Sequence, residues 1–293
     1  MSKIRKAVIP AAGYGTRFLP VVKSIPKEML PVVDKPAIQY IVEEAVASGI
    51  EDIVIVTSAS KRAIEDYFDN NLELEAYLEK NNKLEQLEQI QKISKMANFI
   101  YVRQKGPYGN GTPVLNAERI IGDEPFAVLW GDQFTASPEP RLKQLIDVYN
   151  KFERPVFSAV KVPREDLVRY GVPKIEEVEK FVYIAHELIE KPKIEDAPSD
   201  LACDGAYVLT PDIFDALRDQ PAGKGNEVWL VDGINKLRSD GPIYCREVVG
   251  GKYHDCGNVF EYIKSNVEMA LLREDIGQDF REYLEKIIKK QEV

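Results

Sequence analysis

Residues Ala7–Pro20 read AVIPAAGYGTRFLP. Ala7–Pro10 has the length and composition of a short buried strand. Behind it come Ala11 and Ala12, then Gly13 and Gly15, which let the backbone turn sharply and approach a ligand with no Cβ atoms in the way. Exposed N–H groups in such a turn make an anion-binding concavity, and Arg17 adds a fixed positive charge with several donors. The spacing is not GxGxxG and no GK[ST] closes it, so neither a dinucleotide fingerprint nor an ATPase loop is present. Shortly after, SIPKEMLP (Ser24–Pro31) carries Lys27 in a segment that prolines stiffen on both sides.

Strand-like and helix-like segments alternate outward from this turn, which predicts a mostly parallel, Rossmann-like α/β sheet with helices on both faces. The strands expected are Ala7–Pro10, Asp52–Thr57, Asn98–Arg103, Phe126–Trp130 and Val156–Val162. Helices are expected over Ala37–Ser48, stopped by Gly49 at C′, and over Pro113–Ile121, with Thr112 as N-cap and Pro113 at N1. Residues 170–191 turn strand-like, and helices return near Val259–Leu272 and Asp279–Lys289. Leu72–Met96, LELEAYLEKNNKLEQLEQIQKISKM, departs from the alternation: it is charged, lacks Gly and Pro, and reads as two helices broken at Asn81 and Asn82. Leu84, Leu87, Ile90, Ile93 and Met96 recur every third residue, so the apolar stripe winds round the helix and forms no coiled-coil seam.

No Gly/Ser linker divides the 293 residues, and one sheet is expected to serve the whole chain. A net charge of −9 argues against non-specific nucleic-acid binding, so any nucleotide must meet a local basic pocket. Cys203, Cys245 and Cys256 form no CxxC pair and suit reduced thiols in a cytoplasm. No secretory segment opens the chain, and no apolar run approaches the length of a membrane span.

Ligands of open α/β sheets bind beyond the carboxyl ends of the strands, and four segments place polar groups there. FAVLWGDQF ends a buried strand in Gly131 and Asp132. YGVP carries Gly171, LIEKP carries Glu190 and Lys191, and KYHDCGN carries Asp255 beside a glycine. Each motif alone is also ordinary turn, cap or surface chemistry. With Arg17 and Lys27 they make a consistent set.

The run KAVIPAAGYGTRFLPVVKSIPKEMLPVVDKPAIQYIVEEA resembles the signature of the sugar-phosphate nucleotidyltransferases, and among them the bacterial UTP-glucose-1-phosphate uridylyltransferases. The similarity continues in order through ELEAYLEK, GDEPFAVL, YGV, IEKP, APSDLACDGAYVLTPDIF, GNEVWLVDGI and HDCGN. The resemblance implies a nucleotidyltransferase fold spanning residues 1–293 as a single domain. Its nucleotide-binding part covers about 1–135 with the helical insertion at 72–96, its sugar-phosphate part about 136–258, and its C-terminal helices about 259–290. It implies transfer of a uridylyl group from UTP to glucose 1-phosphate with Mg²⁺ as cofactor, in a homo-oligomer, dimer or tetramer.

By the same resemblance, Ala11, Ala12, Gly13 and Gly15 border the nucleotide, Arg17 holds the departing phosphates, and Lys27 contacts the reacting ones. Gln104 and Gly109 read the uracil edge. Asp132 and Asp255 hold Mg²⁺, which suits one or two carboxylates plus phosphate oxygens. Gly171, Glu190 and Lys191 bind the sugar and its phosphate. The nucleophile is then an already anionic phosphate oxygen, so no general base is required, and His186 and His254 need no catalytic part.

Three segments depart from the pattern. GPYGNGTPV (Gly106–Val114) stands where the bacterial enzymes commonly carry a GLGHA loop. LWGDQF is closer to the thymidylyltransferase form, while the insertion at 72–96 is of the uridylyltransferase type and favours UTP over dTTP. Trp229 stands where a glutamine is usual, and the sequence gives no account of it. A dTTP-dependent or other-sugar nucleotidyltransferase remains one alternative, and a non-catalytic sugar-nucleotide-binding subunit another; the presence of Arg17, Lys27, Asp132 and Asp255 argues against the latter.

Overall fold

The computed structural model describes residues 4–219 and 227–291; Gly225 and Asn226 of the GNEVWLVDGI segment lie outside them. In chain order the strands are β1 (Lys6–Pro10), β2 (Pro31–Val32), β3 (Lys35–Pro36), β4 (Asp52–Thr57), β5 (Asn98–Arg103), β6 (Phe126–Leu129) and β7 (Gln133–Ala136). They continue with β8 (Val156–Lys161), β9 (Gly171–Glu179), β10 (Val182–Glu190), β11 (Leu201–Leu209), β12 (Tyr244–Glu247) and β13 (Lys252–Asp255). Nine of them form one sheet in the order β5-β4-β1-β6-β11-β8-β12-β10-β9. All run one way except β10 and β11, which are antiparallel to their neighbours. The sheet is therefore mixed but mostly parallel, as expected from the sequence.

β1 lies between parallel β4 and β6. Ala7, Val8 and Ile9 are all fully buried, because helices cover both faces and leave no solvent side to demand alternation. Ala7 and Ile9 enter one core with Ile38, Ile41, Leu142 and Leu145 of helices Ala37–Ala47 and Arg141–Phe152. Val8 enters the other core, where Val114, Ile213, Leu217 and Ile234 pack from the opposite face.

The helix Ala37–Ala47 ends with Gly49 at φ 93°, the left-handed C′ position. The insertion forms two helices, Leu72–Lys80 and Leu84–Ser94, and Asn82 makes the break at φ 56°. Residues 170–191 form the β9–β10 hairpin. One expectation is corrected: the Thr112 cap is displaced by a residue. Gly111 is the N-cap, already in helical conformation because its N–H is held by the Val228 carbonyl at 2.9 Å, and Thr112 is the first helical residue. The helix is also split at Ala117, whose N–H takes a tighter bond to Val114.

Candidate active site

β1 and β6 are adjacent, so the chain leaves both at the same sheet edge. Gly131 makes this possible, since a Cβ there would lie 3.2 Å from the Pro10 carbonyl oxygen. Asp132 follows, directly before β7, and Asp255 ends β13. The antiparallel β7–β13 ladder, which pairs Gln133 with Asp255, sets the two carboxylates side by side. Between them lies Gly257. A Cβ on it would be 2.8 Å from Asp255 Oδ1 and 3.0 Å from Asp132 Oδ2, so these oxygens stand within about 6 Å of each other across a space a side chain would fill.

Lys27 Nζ donates to Asp132 Oδ2 at 2.6 Å. Gly15, at φ 65°, lets the glycine loop close over the stem of this lysine, since a Cβ at Gly15 would lie 3.1 Å from Lys27 Cβ. Arg17 donates to the Gly257 carbonyl at 3.4 Å and is exposed towards the cavity. Asp255 accepts from Gly257 N–H at 2.8 Å and from the Tyr170 hydroxyl at 3.1 Å, with Arg169 at 3.4 Å. Burial and the neighbouring Asp132 nevertheless hold its carboxyl above the ordinary range, which is the electrostatic condition that a bound cation relieves.

The opposite wall is built by the β9–β10 hairpin. Glu190 and Lys191 form an ion pair at 3.4 Å, and Gly171 faces them, its absent Cβ 3.4 Å from Glu190 Oε2. Lys191 has φ 48° and is fixed there by its N–H bond to the Tyr170 carbonyl at 2.9 Å. Burial raises the Glu190 carboxyl pKa. One cavity of about 630 Å³ joins Arg17, Lys27, Asp132 and Asp255 at one end to Gly171, Glu190 and Lys191 at the other.

The remaining expected residues border this edge without lining that cavity. Ala11 N–H bonds the Val56 carbonyl at 2.8 Å and Gln104 N–H bonds the Thr57 carbonyl at 2.9 Å, so the two loops flank the end of β4. Ala12 and Gly13 continue the first loop, and nothing lies within 4 Å of where a Gly13 Cβ would be. Gly109 is pressed against Val228, whose carbonyl oxygen would be 2.2 Å from an added Cβ; its φ of 128° and this contact give it a structural need for glycine. Across the cleft, the Tyr14 and Tyr108 hydroxyls are 2.7 Å apart.

Sequence reasoning did not select Arg169 or Tyr170, the partners of Asp255, nor Trp130 and Gln133 of the cavity wall. It also missed Arg141, fully buried, whose guanidinium grips Glu44 with two 3.0 Å bonds and donates to the Gln133 carbonyl at 3.2 Å, anchoring the backbone beside Asp132. Among the described residues no group of three or more His, Cys, Asp or Glu side chains could hold a metal ion. Asp132 and Asp255 remain as a two-carboxylate set, the complement suited to a cation that also takes phosphate oxygens.

A glycine loop, convergent cations and a carboxylate pair at the carboxyl edge of a mostly parallel sheet define a nucleotidyltransferase-type site. Known proteins agree. The profile of the Nucleotidyl transferase family matches residues 6–271. A UTP–glucose-1-phosphate uridylyltransferase of Staphylococcus epidermidis is 48% identical over 287 residues, covering 98% of this chain and 99% of that protein. Among solved structures, the UTP-bound UDP-glucose pyrophosphorylase of Acinetobacter baumannii superposes with a TM-score of 0.89 at 37% identity, covering 96% of this chain and 99% of the other. A UDP-glucose pyrophosphorylase complexed with UDP-glucose gives 0.85 at 42% identity, with coverages of 92% and 100%. The chain belongs to the nucleotidyl transferase family, on the branch of the UTP–glucose-1-phosphate uridylyltransferases.

Proposed function

We propose that the protein transfers a uridylyl group from UTP to glucose 1-phosphate, giving UDP-glucose and pyrophosphate. The observation that carries this reading is the single cavity joining Arg17, Lys27 and the two aspartates to Glu190 and Lys191. A phosphate oxygen of glucose 1-phosphate attacks the α-phosphorus of UTP, the bond to the bridging oxygen breaks, and pyrophosphate leaves. No proton has to be removed from this nucleophile. The barrier lies in bringing two polyanions into line, which positioning and fixed charge lower.

Arg17 receives the leaving phosphates, Lys27 the reacting ones, and Lys191 the sugar phosphate. Ala11, Ala12, Gly13 and Gly15 border the nucleotide, and Gln104 and Gly109 face its base. Glu190 and Gly171 take the sugar. Asp132 and Asp255 would hold Mg²⁺, which when bound would neutralise phosphate charge; the cradle left by Gly257 supports the fit.

The three free, buried cysteines support a cytoplasmic setting, and no helix among the described residues is long and apolar enough to cross a membrane. Exposed Val259, Phe260 and Ile263 support a homo-oligomer, dimer or tetramer. Pyrophosphate release, measured with UTP or dTTP against several sugar 1-phosphates, tests the reading. UTP with glucose 1-phosphate should give the highest kcat/KM, and a preference for dTTP or another sugar would overturn the assignment.

A further inference from the structure

Lys191 is a half-exposed lysine that has to meet a phosphate in a defined place. Its long stem gives it many rotamers, and its ion-pair partner Glu190 draws the ammonium towards a carboxylate 3.4 Å away. A second group competes for it. Lys191 Nζ lies 5.3 Å from the ring centroid of Trp229, within the range at which an aromatic face attracts a cation. The indole face confines the ammonium without adding negative charge beyond that of Glu190, so it orients Lys191 without further weakening its attraction for a phosphate dianion.

Trp229 is itself held from the nucleotide side. It is the N-cap of the helix Leu230–Leu237, and three hydrogen bonds join its flanking residues to the 108–111 loop. Val228 N–H bonds the Tyr108 carbonyl at 2.9 Å, Gly111 N–H bonds the Val228 carbonyl at 2.9 Å, and Leu230 N–H bonds Asn110 Oδ1 at 2.7 Å. The two segments are packed so closely at Gly109 that no side chain fits between them.

We propose that Trp229 is a positioning residue for the sugar-phosphate substrate, holding the Lys191 ammonium over its indole face while the 108–111 loop fixes the indole. The proposal rests on the reading above that Lys191 binds the phosphate of the sugar. It gives Trp229 a task that a glutamine at the same place could not perform by the same means.

The test is a kinetic cycle on Trp229 and Lys191 with a spectroscopic arm. Trp229→Leu should raise the KM for glucose 1-phosphate about two- to fivefold, as loss of an exposed cation–π contact implies. The KM for UTP should stay unchanged, and Trp229→Phe should restore most of the loss. In a Lys191→Met background, Trp229→Leu should add nothing further. An equal rise in both KM values, or an undiminished effect in the Lys191→Met background, would overturn the proposal by making Trp229 a packing residue only. The chain has two tryptophans, so in a Trp130→Phe variant the emission reports Trp229 alone, and Lys191→Met should shift it. An unshifted emission removes the contact whatever the kinetics. Should the wild-type protein fail to turn over UTP and glucose 1-phosphate, the functional reading fails, while this emission shift still decides whether Lys191 sits on the indole.

Discussion

Lys27 and Asp132 form a 2.6 Å ion pair in the same cavity as Asp255. Burial works against the lysine charge, but Asp132, Glu28 and Asp255 outweigh it and raise the pKa of the ammonium. Lys27 is therefore held as a cation, paired with the carboxylate proposed for the metal. In the proposed roles Lys27 would meet phosphate and Asp132 would help hold Mg²⁺, which would neutralise phosphate charge. Lys27→Met should lower kcat about 10²–10³-fold, the usual cost of one transition-state charge donor. Asp132→Asn and Asp255→Asn should do at least as much with the fold intact, because charge is lost with little change in volume. Pyrophosphate release in variants of native circular dichroism measures this, and near-normal turnover in any of them would sink the assignment.

A second ion pair supports the first. Lys61 Nζ lies 2.9 and 2.7 Å from the two Glu28 oxygens, and both residues are buried. Burial raises the Glu28 carboxyl pKa and lowers that of Lys61, each opposed by the partner's charge. Lys61→Met should cost about 3–5 kcal/mol, since it leaves a buried carboxylate unpaired. The double variant Glu28→Gln/Lys61→Met should recover most of that loss, as urea unfolding would report. A double variant no more stable than the single one would mean that the pair acts through something besides charge.

The insertion offers a prediction about assembly. Leu72, Leu74, Tyr77 and Leu84 are exposed, no side chain of the helix Leu84–Ser94 is buried, and none of residues 72–96 lines the cavity. Replacing residues 72–96 by a tight loop should change the mass in solution or the solubility before it changes kcat. Light scattering beside the turnover assay checks this. A well-behaved variant of unchanged mass that had lost activity would contradict it.

What the sequence revealed and what it hid divide along a physical line. Strand-end residues such as Asp132, and the Asn81–Asn82 break, carry their signal in neighbouring residues: a buried run that ends in a glycine, or helix formers interrupted by two asparagines. Arg141 gave no such signal. It opens a helix and looks like a surface charge, and partners distant in sequence, Glu44 97 positions away and Asp204 63 positions away, make it a core residue. Tyr170 and Asp255 are likewise joined across 85 positions. The N-cap falls at Gly111 and not at Thr112 for a similar reason, since the carbonyl that holds Gly111 N–H belongs to the distant Val228.

Glu190 and Lys191 should fail differently when altered. Lys191→Ala removes the charge-assisted contact proposed to the sugar phosphate, and a loss of about 2–4 kcal/mol in kcat/KM should be shared by every sugar 1-phosphate. Glu190→Gln should instead erode the ratio of kcat/KM for glucose 1-phosphate to that for galactose 1-phosphate, because an epimer is rejected chiefly by leaving the site's own polar groups unpaired. The same substitution has a consequence for stability. Burial raises the Glu190 carboxyl above its unfolded value of 4.5, with Lys191 only partly opposing it. A raised folded pKa contributes stability that is full below the unfolded pKa and is lost as pH rises through the folded one. At neutral pH the ionised Glu190 therefore costs stability, and Glu190→Gln should raise Tm there, with the gain shrinking below about pH 4.5. Thermal unfolding at pH 4 and pH 7.5, run beside the epimer assay, reads both effects. A variant that is less stable at pH 7.5, with its epimer ratio unchanged, would place Glu190 in the wall's packing and take it out of sugar recognition.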